Sequence, residues 1–251
     1  GMKAGQKDYK SKMWTERTEL LVGKESLDRL HRSRVAVIGV GGVGGYAAEM
    51  LVRAGTGHLV IVDNDQVSET NINRQLLALH STVGQPKVKV LQERLLDINP
   101  ELELDIICDY ISEDNVSGIL DRFAIDLIVD AIDTLSPKIA LIQYALSRNI
   151  KLVSSMGAGA KFDCTSIRIA DISKTYQCPL AHQLRKRLHR LGITNGFLAV
   201  FSVEIPHKDS VVLEESRNKK SQSGTVSYMP AVFGCVCAQA VITRIAGVEN
   251  L

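Results

Sequence analysis

The chain has 251 residues, of which 45% are apolar and 23% are charged, and its formal net charge is +2. This composition is typical of an ordinary soluble globular protein with one large or two small domains, and the small net charge neither requires nor excludes a nucleic-acid partner. The five cysteines form no C-x-x-C pair. The sequence therefore disfavours a disulfide framework and a four-cysteine zinc site.

The two ends of the chain differ in character. Residues 1–16 are polar and lysine-rich apart from Trp14, so we expect a mobile segment without a secretory signal and a cytoplasmic protein. The apolar run 231–242 is interrupted by Gln239 and is too short to cross a bilayer. We expect a buried helix there and no membrane span.

Strands and helices alternate through the first 154 residues. A helix over 24–31 precedes a strand over 35–38, a helix over 46–54 and a strand over 58–62. Further strands are predicted at 102–108, 126–133, 150–154, 165–170 and 198–204, and further helices at 86–98, 111–123, 138–149, 180–191 and 231–245. This alternation predicts an α/β fold with a doubly wound, mostly parallel, Rossmann-like sheet. We expect one domain over 1–251, in which 160–251 extends the same sheet and contains a basic helix and a flexible loop at 207–227.

A glycine-rich turn joins the first strand to its helix. Gly39, Gly41, Gly42 and Gly44 let the backbone bend sharply, and the amides of the first helical turn face an anion. The second strand ends in Asp63, 19 residues after Gly44, where a carboxylate can bind ribose hydroxyls. The pattern favours a nucleotide site over a tight structural turn.

Further polar residues are expected at the same edge, because ligands of such sheets bind beyond the carboxyl ends of the strands. They are Asp65, the segment Asn71 to Gln75 with Arg74, Lys87 at a helix start, and Asp130 with Asp133. Two cations and a candidate Mg²⁺ ligand, Asp133, suit a nucleoside triphosphate. A nicotinamide dinucleotide requires neither.

Five spaced motifs together resemble the ubiquitin-activating-enzyme-like adenylating superfamily. They are the glycine turn 39–45, Asp63-x-Asp65, Asn71-x-Asn73-Arg74-Gln75, Gly84-Gln85-Pro86-Lys87 and Asp130-Ala131-Ile132-Asp133. Within the superfamily, the segments 17–23, 70–75 and 133–138 and the C-terminal third resemble the tRNA threonylcarbamoyladenosine dehydratases. The likeness covers nearly the whole chain.

The resemblance implies a role for each matching residue. Asp63 would hold the ATP ribose, Arg74 and Lys87 would grip the phosphates with help from Asn71 and Gln75, and Asp133 would position Mg²⁺. Arg17 would reach the triphosphate of the other subunit of a homodimer, as an arginine finger does. A surface ion pair is the alternative for Arg17.

The resemblance also implies the reaction. A free carboxylate resists attack, and transfer of AMP onto it creates a good leaving group. The substrate would be the threonine carboxylate of N6-threonylcarbamoyladenosine in tRNA, and an internal carbamoyl nitrogen or oxygen would then close a ring with net loss of water. Such a step needs no outside nucleophile, so a nucleophilic Cys178 is disfavoured and core packing is favoured for Cys235 and Cys237.

The predicted helix over 180–191 carries the candidate RNA contacts. Leu180, Leu184, Leu188 and Leu191 form one stripe, which leaves the cations largely on the outer face. These candidates are Arg185, Lys186, Arg187 and Arg190, with Lys219 and Lys220 in the later loop. A solvated charged face would give the same pattern.

Two other functions share parts of this pattern. An adenylating enzyme for a ubiquitin-like sulfur-carrier protein would use the same ATP site, although the relatives' zinc cysteines are missing here. A nicotinamide dehydrogenase, or a nucleotide-binding protein without chemistry, would use the glycine turn and Asp63. The sequence leaves open a sulfur-transfer partner and a monovalent cation.

Overall fold

A computed structural model describes residues 12–207, 211–212 and 222–248. The strands are β1 (Arg34–Ile38), β2 (His58–Val62), β3 (Glu103–Ile107), β4 (Leu127–Asp130), β5 (Lys151–Ser155), β6 (Ile167–Asp171), β7 (Leu198–Ser202), β8 (Val211–Val212) and β9 (Gln222–Ser223). The helices are α1 (Glu16–Val22), α2 (Lys24–Arg32), α3 (Gly44–Arg53), α4 (Lys87–Ile98), α5 (Val116–Leu120), α6 (Leu135–Ser147), α7 (Pro179–His189) and α8 (Tyr228–Ala246).

The main sheet has seven strands in the order β3-β2-β1-β4-β5-β7-β6. All neighbours pair in parallel except β6, which runs antiparallel to β7 at the edge. The order reverses between β1 and β4, where ligands of such sheets bind. The predicted doubly wound sheet, and its extension by the C-terminal third of the chain, are confirmed.

Both faces of the sheet are covered by helices, because its central strands are apolar on both sides. In β1, Val35 and Val37 pack in one core cluster, whereas Ala36 and Ile38 pack in the other. The first cluster includes side chains of α3, α4 and α8, and the second includes side chains of α5, α6 and α7. This two-sided burial explains why β1 and β4 are apolar runs without alternation.

Helix α8 is the apolar C-terminal helix. It has 19 residues, so it is long and apolar enough to cross a membrane, and half of it is buried inside the protein. The expectation that the segment is too short to span a bilayer was therefore wrong. Met229, Phe233, Cys237 and Val241 are completely buried in the core beside α3. Burial against the sheet, and not a short length, is what assigns this helix to the core.

Several predicted bounds changed on folding. The helix expected over 111–123 is only the five residues of α5. The strand expected over 126–133 ends at Asp130, because the Ile132 amide donates to the Asp130 carboxylate instead of to a neighbouring strand.

The predicted mobile regions lie partly outside the described residues. Residues 1–11, 208–210 and 213–221 are not among them, and they include Lys219 and Lys220. Residues 13–15 form a 3₁₀ turn in which Thr15 is completely buried, and α1 begins at Glu16. The end of the segment expected to be mobile, residues 13–16, is therefore helical. Part of the predicted 207–227 loop is ordered, because β8 pairs with β9.

Candidate active site

The glycine turn between β1 and α3 is closely packed against the end of β4. A Cβ atom at Gly44 would lie 1.7 Å from the carbonyl oxygen of Gly39, and one at Gly39 would lie 2.8 Å from that of Ala131. Gly39 also has a φ of +89°, which favours glycine. Any side chain at these positions would clash, so the turn requires glycine there. Without side chains, the turn can pack directly against the segment after β4.

Asp63 fastens the end of β2 to the glycine turn. One oxygen of its carboxylate accepts from the Val40 amide at 2.9 Å, and the other accepts from the Asp65 amide at 2.8 Å. Each oxygen keeps a lone pair, since a carboxylate has about four acceptor sites. Asp63 is half-buried, so these lone pairs are available to ribose hydroxyls.

The segment after β2 lies over the same turn. Gln75 is buried, and a Cβ at Gly41 would lie 3.4 Å from its amide nitrogen. The Gln75 Oε1 atom has no hydrogen-bond partner among the described residues. A buried polar atom without a partner beside a glycine cradle is the feature that a bound ligand would complete.

Arg74 crosses the other side of the cradle. Its Cγ atom would lie 3.7 Å from a Cβ at Gly42. Its guanidinium donates to the Thr70 carbonyl and to Asn73 Oδ1, both at 3.0 Å. Asn71 holds the segment in place, because its side-chain oxygen accepts from the Ser68 amide at 2.9 Å.

Lys87 is a buried cation at the start of α4. The residue is only 5% exposed, and its Nζ lies 3.8 Å from Asp65 Oδ2. The sequence predicted that Pro86 is the first residue of this helix. In the structure the helix begins at Lys87, and Pro86 is its N-cap. The Lys87 amide donates to the Asp65 carbonyl at 3.0 Å, which fixes the helix start beside the end of β2.

Asp130 and Asp133 have different environments. Asp130 is completely buried and pairs with Lys138 Nζ at 3.0 Å, while Ser154 Oγ donates to it at 2.7 Å. Lys138 Nζ also donates to the Ile132 carbonyl at 2.8 Å. Asp133 is exposed on the loop that this buried network holds. Of the two carboxylates, only Asp133 is exposed.

Arg17 belongs to the amino-terminal helix α1. It is exposed on α1, whose main packing partner is α2. The neighbouring leucines Leu20 and Leu21 are 83% and 86% exposed. The role of Arg17 across a subunit interface stays a prediction.

The basic helix α7 presents most of its cations to solvent. Lys186, Arg187 and Arg190 are exposed, whereas Arg185 is half-buried and donates to the Thr175 carbonyl and hydroxyl. Arg185 thus holds the preceding loop and is less available to RNA than the sequence suggested. Leu184 and Leu188 are buried as expected, but Leu191 is 49% exposed because α7 ends at His189.

The three late cysteines also differ. Cys178 is buried, and its sulfur caps α7 by accepting from the Ala181 amide. Cys237 is buried, and burial raises the pKa of its thiol to about 12. Cys235 was expected in the core, but it is exposed because it lies on the outer face of α8. No cluster of three or more metal-binding side chains occurs in the described part of the chain.

The glycine turn, Asp63, Arg74, Lys87 and Asp133 all lie within the residues that one family model matches. The model of the ThiF family matches residues 15–251. The chain belongs to the ThiF family.

Members of the ThiF family with high similarity share one name. The tRNA threonylcarbamoyladenosine dehydratase of Bacillus subtilis is 42% identical over 90% of this chain and 92% of its own. The Escherichia coli enzyme of the same name is 35% identical over 93% of this chain and 95% of its own. A crystal structure of the E. coli enzyme with ATP has a TM-score of 0.85 and 34% identity, covering 94% of this chain and 96% of its own; another contains AMP. The predicted resemblance to these dehydratases is confirmed.

Sequence reasoning missed residues that the fold adds to the site. Lys138 and Ser154 hold the Asp133 loop, and Pro230 at the start of α8 would be 2.9 Å from a Cβ at Gly42. A lysine inside the apolar run 137–146 was the available signal for Lys138. No local signal links Pro230 to Gly42, which is 188 residues away.

Proposed function

We propose that this protein uses ATP to adenylate the threonine carboxylate of N6-threonylcarbamoyladenosine in tRNA and then closes the ring with loss of water. The supporting observation is a glycine cradle bordered by Asp63, Gln75, Arg74 and Lys87, in a chain whose full-length relatives carry the dehydratase name. A sulfur-carrier-activating enzyme is less supported, because the B. subtilis and E. coli relatives, which match nine-tenths or more of this chain, are dehydratases.

Each of these residues has a separate role in the adenylation step. Asp63 orients the ribose, and the amides of the glycine turn with Arg74 and Lys87 stabilise negative charge on the phosphates during transfer. The buried position of Lys87 strengthens its attraction to a phosphate, because little water screens it. The carboxylate oxygen of the substrate attacks the α-phosphorus, and pyrophosphate leaves.

The loop after β4 also fits Mg²⁺. Mg²⁺ commonly takes one or two carboxylates together with phosphate oxygens and waters. Asp133 supplies one exposed carboxylate, while the oxygens of Asp130 are occupied by Lys138, Ser154 and the Ile132 amide. A bound Mg²⁺ would neutralise phosphate charge; a monovalent cation stays a prediction.

The decisive experiment combines threonylcarbamoylated tRNA, ATP and Mg²⁺ with the protein. We expect tRNA-dependent pyrophosphate release and a nucleoside lighter by one water, measured by mass spectrometry. Asp133→Ala should abolish both, whereas Asp105→Ala, an exposed carboxylate on β3, should not. Pyrophosphate exchange stimulated by a Gly-Gly-ended carrier protein, and not by tRNA, would support the alternative function.

A homodimer in which Arg17 completes the neighbouring site is part of this proposal. Exposed Leu20 and Leu21 beside Arg17 give α1 an apolar surface suited to association. Mixing Arg17→Ala and Asp133→Ala subunits tests it. If Arg17 acts in trans, mixed dimers contain one intact site of two and restore about a quarter of the activity for random pairing. If Arg17 acts within its own chain, mixing restores nothing.

The tRNA would contact the exposed cations of α7. Lys186, Arg187 and Arg190 supply positive charge on one surface, which suits phosphate binding. An enzyme acting on tRNA is proposed to work in the cytoplasm. A sulfur-transfer partner stays a prediction.

A further inference from the structure

Lys161 is a buried lysine that the adenylation step does not use. The residue is only 4% exposed, and its Nζ donates to the Gly157 carbonyl at 2.7 Å. Among the described residues, this carbonyl is the one hydrogen-bond acceptor of its amine. A lysine is rarely buried unless it is paired or has a chemical function.

Lys161 lies at the same edge of the sheet as the proposed adenylation centre. Strands β4 and β5 are parallel neighbours, with Asp130 opposite Ser154. The loops that follow these strands therefore leave the sheet side by side, one towards Asp133 and the other towards Gly157. Because Lys161 Nζ contacts the Gly157 carbonyl, two residues after the end of β5, its amine lies at the carboxyl edge of the sheet.

A second connection joins Lys161 to the phosphate side of the site. Asn73, next to Arg74, donates to the Thr225 carbonyl at 2.9 Å. The Ala160 amide donates to the Gly224 carbonyl at 2.8 Å. Residues 224–225 thus bridge the Arg74 segment and the Lys161 loop.

The backbone around Lys161 is held in an uncommon conformation. Ala160 has a φ of +61°, as does Gln177, which precedes Cys178 at the start of α7. An alanine in this region costs on the order of 1–3 kcal/mol and persists only where the surroundings impose it. Here the Ala160 carbonyl accepts from His207, and the two residues after Lys161 donate to Glu204. Such strain is concentrated at functional sites.

The charges around Lys161 come from two neighbouring elements. Burial lowers the pKa of its ammonium, while Cys178 just before α7 and Glu204 after β7 act in the opposite direction. Glu204 is itself paired with His207 at 3.4 Å. The lowered pKa increases the share of neutral amine, which can accept a proton.

Ring closure requires such an acceptor, and this inference rests on the proposed function. Whether the carbamoyl nitrogen or oxygen attacks, one bond forms to the activated carbonyl carbon and one N–H proton of the carbamoyl group must leave. The bond from that carbon to the AMP oxygen breaks, and AMP takes the electron pair. We propose that Lys161 is the general base that accepts this proton and later releases it to solvent.

The test separates ring closure from adenylation. Lys161→Met keeps the length of the side chain but cannot accept a proton, and Lys161→Arg keeps the charge but holds its protons. We expect both variants to retain tRNA-dependent ATP–pyrophosphate exchange and to form the dehydrated nucleoside ~10²- to 10⁴-fold more slowly in a single turnover. Lys151→Met, at the amino end of β5, is the exposed control and should match the wild type.

The pH dependence gives a second, independent readout. The wild-type single-turnover rate of ring closure should rise with pH through an inflection below 10.5, the ordinary lysine value, because the amine is active when deprotonated. Lys161→Met should lack that inflection.

Three outcomes would overturn the proposal. The first is normal ring closure in Lys161→Met. The second is normal ring closure in Lys161→Arg, and the third is loss of both pyrophosphate exchange and ring closure in either variant. The second and third outcomes would assign Lys161 to substrate binding or folding. If the wild type showed neither exchange nor dehydrated nucleoside, the proposed function itself would fail.

Discussion

Three buried lysines at this edge of the sheet differ in their hydrogen-bond and ion-pair partners. Lys87 is paired loosely with Asp65 at 3.8 Å, Lys138 pairs closely with Asp130 at 3.0 Å, and Lys161 contacts only a carbonyl among the described residues. The number of close partners decides what each can do for a ligand. Lys138 is committed to the fold, whereas Lys87 has binding capacity left for a phosphate.

Lys87→Met should therefore weaken ATP binding more than it affects folding. The substitution keeps most of the buried volume and removes a charge-assisted hydrogen bond worth roughly 1.5–3 kcal/mol, so we expect Kd for ATP to rise roughly 10- to 100-fold. Isothermal titration calorimetry measures it. Lys89→Met, two residues along α4 and exposed, is the control. An unchanged Kd in Lys87→Met would remove Lys87 from the phosphate site.

Lys138→Met should instead act on stability. It leaves the buried Asp130 carboxylate without its cation, and breaking such a pair costs roughly 3–5 kcal/mol of unfolding free energy. Urea unfolding should show this loss, and adding Asp130→Asn should recover part of it, because the uncompensated charge is then removed. A Lys138→Met protein of normal stability would show that the pair contributes little.

At the scale of single elements, α7 separates its structural and its exposed cations. Arg185 is turned towards Thr175, whereas Lys186, Arg187 and Arg190 are exposed. The apolar stripe of Leu184 and Leu188 decides this division, because it sets which face of the helix is buried.

Changing Lys186, Arg187 and Arg190 together to glutamine should weaken tRNA binding. If each contacts a phosphate, the slope of log K against log salt should decrease by up to ~2–3, because fewer counterions are released. The control changes Arg32, Arg34 and Lys151 to glutamine, which are exposed near the amino ends of the strands. Equal salt dependence in both triple variants would place the tRNA on another surface.

At the scale of the whole molecule, the site depends on segments far apart in the chain. Gly42 contacts Pro230, and a Cβ at Gly234 would lie 2.4 Å from the Val43 carbonyl, so α8 closes over the glycine turn. A ligand in this turn would stabilise the first strand–helix unit and the C-terminal helix together.

ATP with Mg²⁺ should therefore raise the Tm of the whole protein, and NAD should not. A ligand present at about 100 times its Kd stabilises the folded state by ~2.7 kcal/mol, which gives a shift of roughly 5–10 °C for a protein of this size. Differential scanning fluorimetry with both nucleotides makes the comparison. A larger shift with NAD would favour the dehydrogenase alternative.

The sequence alone predicted the alternation of strands and helices, the doubly wound sheet and the candidate nucleotide-binding residues. Glycine spacing, apolar runs and the acids after β2 and β4 are local patterns, and their effects extend over a few residues. The resemblance carried by five such motifs then identified the superfamily and the reaction.

Only the tertiary structure decided which charged groups are committed and which are available. The sequence places Asp130 and Asp133 at the same edge, and the structure shows that Asp130 is buried beside Lys138 and Ser154 whereas Asp133 is exposed. The same holds for Cys235 and Cys237 on α8 and for Arg185 on α7. Burial and pairing depend on neighbours that are distant in sequence, so no local pattern contains them.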